Sequence, residues 1–120
     1  MIGIGIDLVN LKRFETHLKK GDFIKRCFCE SEIDHYLKSK RASFLAGRYT
    51  AKEAALKVLG TGLIDGISLT DIEVIKLSSG APSLILRNQP LLLAQKLGIK
   101  NWLISISHTK ISAIAIVVGK

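Results

Sequence analysis

Residues 42–59 contain no proline, are rich in helix formers and stop at Gly60, which predicts one long helix of about five turns. Within it the stretch YTAKEAALK at 49–57 sets Glu53 one turn before Lys57, and the two project within roughly 40° of each other. Ala46 and Thr50 share that face; small neighbours argue for room for a ligand and against core packing. Phe44, Leu45, Ala55, Leu56 and Leu59 form a different, apolar stripe, and Arg48 and Lys52 fall inside it. Cations so placed must snorkel, meet an anion or face a partner subunit. A Glu–Lys pair at this spacing is common on solvated helices, where it contributes roughly a few tenths of a kcal/mol. It gains chemical meaning only from the rest of the chain.

Around that helix the pattern changes along the sequence. Residues 2–6 alternate isoleucine with glycine and read as a short strand approached closely by another segment. Residues 9–20 suit an amphipathic helix with Val9, Leu11, Phe14 and Leu18 on its apolar side. Asp22 can cap a brief helical turn through Arg26, and Glu30 or Ser31 opens a helix to Lys38. After Gly60-Thr61-Gly62, strands are expected over 71–77 and 83–87 around a turn at 78–82. A short helix over 90–97 ends at Gly98, and strands over 102–107 and 111–118 meet in a tight turn at 108–110. Helices early and strands late predict the α+β class, with the helices packed on a small, mainly antiparallel sheet. With 120 residues and no linker or repeat, a single domain over 1–120 is expected.

Eighteen Lys and Arg against ten Asp and Glu give a formal charge of +8, with twelve of the basic residues before position 61. Such a chain attracts phosphates, nucleic acid, anionic lipid or an acidic protein. Nucleic acid is disfavoured: there is no Gly-x-x-Gly clamp or aromatic-rich RNA-binding strand, and aromatics are only 6%. No apolar run approaches a membrane span, and the N-terminus lacks the pattern of a signal peptide. A cytoplasmic protein without membrane association is expected. Cys27 and Cys29 are too close for an easy disulfide and too few for zinc, so free thiols are expected.

Three places can carry chemistry. Asp7 closes the first expected strand just before a helix, where it can cap the helix or point into a cleft. With Glu53 it offers two hard oxygen donors, enough for a Mg²⁺ that keeps waters and takes phosphate oxygens from a substrate. Gly60-Thr61-Gly62 is either a helix stop with a turn or a backbone cradle for phosphate. His108, in Ser105-Ile106-Ser107-His108-Thr109, sits where a strand turns back among several hydrogen-bond donors. His17 and His35 lie on expected surface helices and receive no role. No glycine-bracketed serine elbow, dinucleotide fingerprint or phosphate loop with its lysine is present.

Gly5-Ile6-Asp7, the 49–57 segment and Ser105-Ile106-Ser107-His108 agree in order and spacing with one family, and Phe44-Leu45-Ala46-Gly47-Arg48, Gly60-Thr61-Gly62 and Gly80-Ala81-Pro82 extend the match over nearly the whole chain. The chain resembles the bacterial holo-[acyl-carrier-protein] synthases, the small 4′-phosphopantetheinyl transferases. The resemblance implies transfer of the 4′-phosphopantetheine arm from coenzyme A to a serine of apo acyl carrier protein, in support of fatty acid biosynthesis, with release of adenosine 3′,5′-bisphosphate. It implies that Asp7 and Glu53 hold Mg²⁺ and that Lys57 contacts the pyrophosphate, these three forming the catalytic set. Arg48, Lys52, Gly60, Thr61, Gly62, Pro82, His108 and Thr109 would line the coenzyme A site, and Arg13 and Arg26 the surface that docks the acidic carrier. A homotrimer is implied, with acids from one chain and the Ser-His corner from its neighbour in each site, so that Arg48 and Lys52 face a shared cleft. Either a water held by the ion or Glu53 takes the serine proton; the sequence does not choose. Tyr49 stands where Phe or Trp is usual, and Asn10 and Lys12 where acids are frequent. A non-catalytic carrier-binding scaffold would keep the basic helices yet has no need of Asp7 or Glu53.

Overall fold

A computed structural model describes residues 3–61 and 67–120 of the protein. In chain order it holds strand β1 (Gly3–Asn10), helices α1 (Leu11–Leu18), α2 (Phe23–Cys27), α3 (Glu30–Ser39) and α4 (Ala42–Val58), and a 3₁₀ turn (Leu69–Asp71). Strands β2 (Ile72–Lys76) and β3 (Pro82–Leu86), helix α5 (Asn88–Leu97) and strands β4 (Trp102–His108) and β5 (Ser112–Gly119) follow. The α+β expectation holds. The strands form two sheets, however: a three-stranded one in the order β1-β5-β4 and a separate β2-β3 hairpin, all pairs antiparallel.

The expected first strand runs further than its glycine–isoleucine alternation. Every position from Gly3 to Asn10 pairs with β5, from Gly3↔Gly119 to Asn10↔Ser112, and these pairings hold the chain extended past Val9. Asn10 then caps α1 by accepting the Arg13 N–H at 3.0 Å. Asp7 is therefore a mid-strand residue and caps nothing.

Helix α4 lies across the inner face of the three-stranded sheet. A Cβ built on Gly5 would stand 2.0 Å from the Ala54 carbonyl oxygen, so only glycine lets β1 and α4 approach this closely. Ala54 on the helix side is fully buried in this contact. The other side of α4 is covered by α1, α3 and β2. Ala46 and Thr50 are both 0% exposed, against the expectation of an open face; Thr50 turns its hydroxyl onto the Gly47 carbonyl at 2.8 Å. A helix packed on two sides has no single apolar stripe. Phe14, Phe28, Leu45, Leu56, Ile72 and Val117 fill the core around it, with Phe14 set edge-on to Phe23 and Phe28 and tilted against Tyr49. The two cysteines are free.

Candidate functional site

On β1, Gly5, Asp7 and Val9 lie on the side of the sheet that α4 covers, while Ile4, Ile6 and Leu8 are exposed on the other. Asp7 thus comes under the C-terminal half of α4. The Lys57 ammonium donates to the Ile6 carbonyl oxygen at 2.8 Å and to Asp7 Oδ1 at 3.3 Å. Burial and then the charge of Asp7 push the Glu53 carboxyl above its ordinary value, opposed by hydrogen bonding from Tyr49 and by the charge of Lys57. The Tyr49 phenol is itself pushed up to about 12, by burial first and by Glu53 next. Asp7, Glu53 and Lys57 are therefore brought together as expected. Among the described residues no group of three or more His, Cys, Asp and Glu could hold a metal. Two carboxylates close enough that the charge of Asp7 acts on Glu53, beside open solvent, do fit a hard divalent cation completed by water and phosphate oxygens.

The end of α4 answers the glycine question differently. Gly60, at φ +76°, donates its N–H to the Lys57 carbonyl, and the Thr61 N–H reaches the Leu56 carbonyl, both at 3.1 Å. This is the left-handed helix stop that glycine favours. The backbone N–H groups of Gly60 and Thr61 therefore already serve the helix end and are not the free donors of a phosphate cradle. Gly62 lies outside the described residues.

On the other flank of α4 two adjoining cavities of ≈ 330 and ≈ 400 Å³ share His35, Phe44, Arg48, Ile106 and His108 as walls, and Pro82 lines the larger. The Arg48 guanidinium carbon lies 4.1 Å from the Phe44 ring centroid, and the His35 ring stacks on Phe44 at 4.0 Å and 13°. Arg48 Nε is buried and has no hydrogen-bond partner among the described residues. Burial holds the Arg48 pKa below its usual range, with the charge of Glu32 opposing. Thr109 closes the turn after His108 by accepting the Ile111 and Ser112 N–H groups at 3.0 and 3.1 Å, and it lines a more open hollow beyond His108. Arg48, Pro82 and His108 thus surround one basic groove, and Thr109 lies in the adjoining hollow beyond His108.

Lys52 does not join them. It is 0% exposed and donates to the Cys27 carbonyl at 2.7 Å, Glu32 Oε1 at 2.6 Å and the Leu69 carbonyl at 3.1 Å. Its three donors are used inside the protein, so the expectation of a ligand contact is corrected: of the three fates open to a cation on that stripe, Lys52 met an anion. Arg13 and Arg26 are exposed on the adjoining helices α1 and α2. Arg26 pairs with Asp22 at 3.0 Å, both well solvated, which leaves it available to a stronger partner.

His35 is the residue that sequence reasoning passed over. Its partnership with Phe44 joins two helices, and no periodicity within either one announces it. The acid that answers Lys52 is one of three on α3, Glu30, Glu32 and Asp34, and only packing singles out Glu32.

The acid–lysine cluster and the basic groove sit at opposite edges of the same sheet, Asp7 on β1 and His108 on β4, with β5 between them.

Residues 3–112 match the family model described as the 4′-phosphopantetheinyl transferase superfamily. The holo-[acyl-carrier-protein] synthase of Gloeobacter violaceus is 42% identical over 118 residues, covering 95% of this chain and 89% of that protein. That of Caldicellulosiruptor bescii is 38% identical over 122 residues, covering 100% and 98%. Among solved structures, the Neisseria meningitidis holo-[acyl-carrier-protein] synthase superposes with a TM-score of 0.88 at 30% identity, covering 100% of this chain and 99% of the other. The Helicobacter pylori enzyme, solved in complex with coenzyme A, gives 0.81 at 34% identity and covers 100% of both.

Proposed function

The chain belongs to the 4′-phosphopantetheinyl transferase superfamily, as an enzyme of the holo-[acyl-carrier-protein] synthase kind, and from that premise we propose how its residues divide the work. Coenzyme A is the donor and a serine of apo acyl carrier protein the acceptor. The serine oxygen forms a bond to the β-phosphorus, the bond from that phosphorus to the bridging oxygen breaks, and adenosine 3′,5′-bisphosphate leaves. Transfers of this kind depend mainly on positioning and on stabilising charge.

Asp7 and Glu53 would hold Mg²⁺, which supplies charge neutralisation at the pyrophosphate when bound. Lys57, already 3.3 Å from Asp7 Oδ1 with an exposed side chain, turns its ammonium to the oxygen on which negative charge collects as the bisphosphate departs. Arg48 and His108 grip the nucleotide end of the donor, with Pro82 and Thr109 shaping the groove. Arg13 and Arg26 present an exposed basic surface to the acidic carrier. The single observation that carries this reading is the convergence of Asp7, Glu53 and Lys57 at the sheet edge.

Two features support a homotrimer. The groove and the acid cluster lie at opposite sheet edges, and the outer sheet face between them is bare: Ile6 pairs with Ile116 and Leu8 with Ile114, at 49%, 40%, 63% and 36% exposure. An apolar face of this kind suits association, and a neighbouring copy would bring its groove to these acids. Sedimentation that finds only monomers would remove this part. No helix among the described residues is long and apolar enough to cross a membrane; we place the enzyme in the cytoplasm, serving the carrier of fatty acid biosynthesis. The test is direct: the protein, coenzyme A, Mg²⁺ and apo carrier are mixed, and the carrier gains the mass of one phosphopantetheine. An unchanged carrier mass would overturn the reading.

A further inference from the structure

Behind the groove wall lies one buried acid with more partners than neutralising Lys52 requires. Glu32, on α3 and 2% exposed, accepts at Oε1 from Lys52 at 2.6 Å and from the Cys29 N–H at 2.8 Å, and at Oε2 from the Val74 N–H at 2.9 Å. Through Lys52 the same cluster reaches the Cys27 and Leu69 carbonyls. The end of α2, the start of α3, the 3₁₀ turn, β2 and α4 are thereby tied at a single point. Three of these segments carry groove residues: His35 on α3, Phe44 and Arg48 on α4, Lys76 on β2.

Glu32 also shares a cavity of ≈ 190 Å³ with His35, Phe44 and Arg48. Arg48 stands one turn before Lys52 on α4, half-buried, its Nε without a hydrogen-bond partner among the described residues. A guanidinium keeps its charge under all ordinary conditions, so a half-buried one needs an anion nearby to offset its lost hydration. Glu32 supplies that anion across the cavity both residues line, and its charge acts on Arg48 against the effect of burial. One carboxylate thus answers both cations of the stripe, Lys52 by contact and Arg48 through its field.

We propose that Glu32 is a positioning residue of the donor groove, locking α3 and β2 onto α4 through Lys52 and holding Arg48 ready for a phosphate of the donor. The inference rests on the reading of Arg48 as a donor contact. The competing role is purely structural, in which Glu32 serves Lys52 alone.

Four variants separate the two: Glu32→Gln, Arg48→Gln, Glu32→Gln with Arg48→Gln, and Glu32→Gln with Lys52→Met. The last replaces the buried pair by neutral groups of similar length, a change that proteins often tolerate, and it carries the test if Glu32→Gln alone fails to fold. Coenzyme A affinity is measured by calorimetry, KM for donor and carrier by steady-state kinetics, and folding by thermal unfolding. The Glu32→Gln/Lys52→Met variant is expected to fold stably, bind coenzyme A about fivefold or more weakly, and keep its KM for the carrier. Glu32→Gln is expected to add little to the loss already caused by Arg48→Gln. Unaltered coenzyme A affinity in the Glu32→Gln/Lys52→Met variant overturns the proposal, as does an equal effect of Glu32→Gln with and without Arg48. If Arg48→Gln itself leaves coenzyme A affinity unchanged, the donor-site reading of Arg48 is what fails, and the proposal falls with it.

Discussion

Lys52 and Lys57 stand on the same helix and each meets a carboxylate. Lys52 sits 2.6 Å from Glu32 with side chains 0% and 1% exposed, whereas Lys57 sits 3.3 Å from Asp7 with side chains 54% and 20% exposed. The first pair is closed: all three ammonium donors are bonded within the protein. The second is open, with a longer contact and solvent on the lysine. Residue type alone makes the two pairs alike; what separates a group that holds the fold from one that can act on a ligand is whether its hydrogen-bonding capacity is already satisfied.

The largest effect expected from this contrast is at Glu53, the open pair's neighbour. Glu53→Gln should lower turnover by about 10²–10³-fold or more, with circular dichroism and the elution volume unchanged. Turnover close to normal at saturating Mg²⁺ would remove the metal assignment. Next come the two lysines themselves. Lys52→Met leaves Glu32 buried without its partner and should cost about 3–5 kcal/mol of stability in urea titrations. Lys57→Met should cost under about 1 kcal/mol, since the exposed lysine is well screened, yet it should depress kcat. Similar stability losses in the two variants would erase the distinction between closed and open pairs.

Arg13→Glu reverses a charge that belongs to neither pair. It should raise KM for the carrier about tenfold, at the scale of one charge-assisted contact, and leave KM for coenzyme A almost unmoved; parallel rises would contradict the docking role. The smallest effect concerns an intermediate case, Arg87 and Glu73 at 2.7 Å. Hydrogen bonds from Ser31 and then Arg87 hold the Glu73 carboxyl below its ordinary value of 4.5. The unfolded chain therefore takes up this proton first as pH falls, so the contribution is present above about 4.5 and is lost as pH drops through the lower, folded value. Glu73→Gln should flatten that acid limb of the stability curve slightly. A limb of unchanged steepness would show that the contact is too solvated to matter.

Much of the fold was legible because its signals are local. The absence of proline over 42–59 and the glycine after it gave α4 to within one residue of its observed end, and Gly98 marked the end of α5 in the same way. The glycine alternation near the N-terminus foretold a close approach, which Gly5 makes against Ala54. The identities of Asp7, Glu53 and Lys57 were legible too, as a motif. What failed were inferences that needed the neighbours of a helix: Ala46 and Thr50 were read as open because they share a face with Glu53, but α4 is packed on more than one side and both are fully buried. The resemblance implied a ligand contact for Lys52, and its anion lies on another helix, twenty positions away, where no local pattern reports it. The strand β1 outran its alternation because pairing with β5, far along the chain, kept it extended.

Sequence by itself determined the class of fold, the length of the central helix and the residue types available for metal, phosphate and carrier, since turn chemistry, helical period and side-chain charge are properties of neighbouring residues. Only the tertiary structure decided which lysine is sealed in the interior and which stays open to solvent, and that the acids and the groove occupy opposite edges of one sheet. Burial and hydrogen-bond satisfaction arise between segments distant in the chain, and a motif carries no record of them.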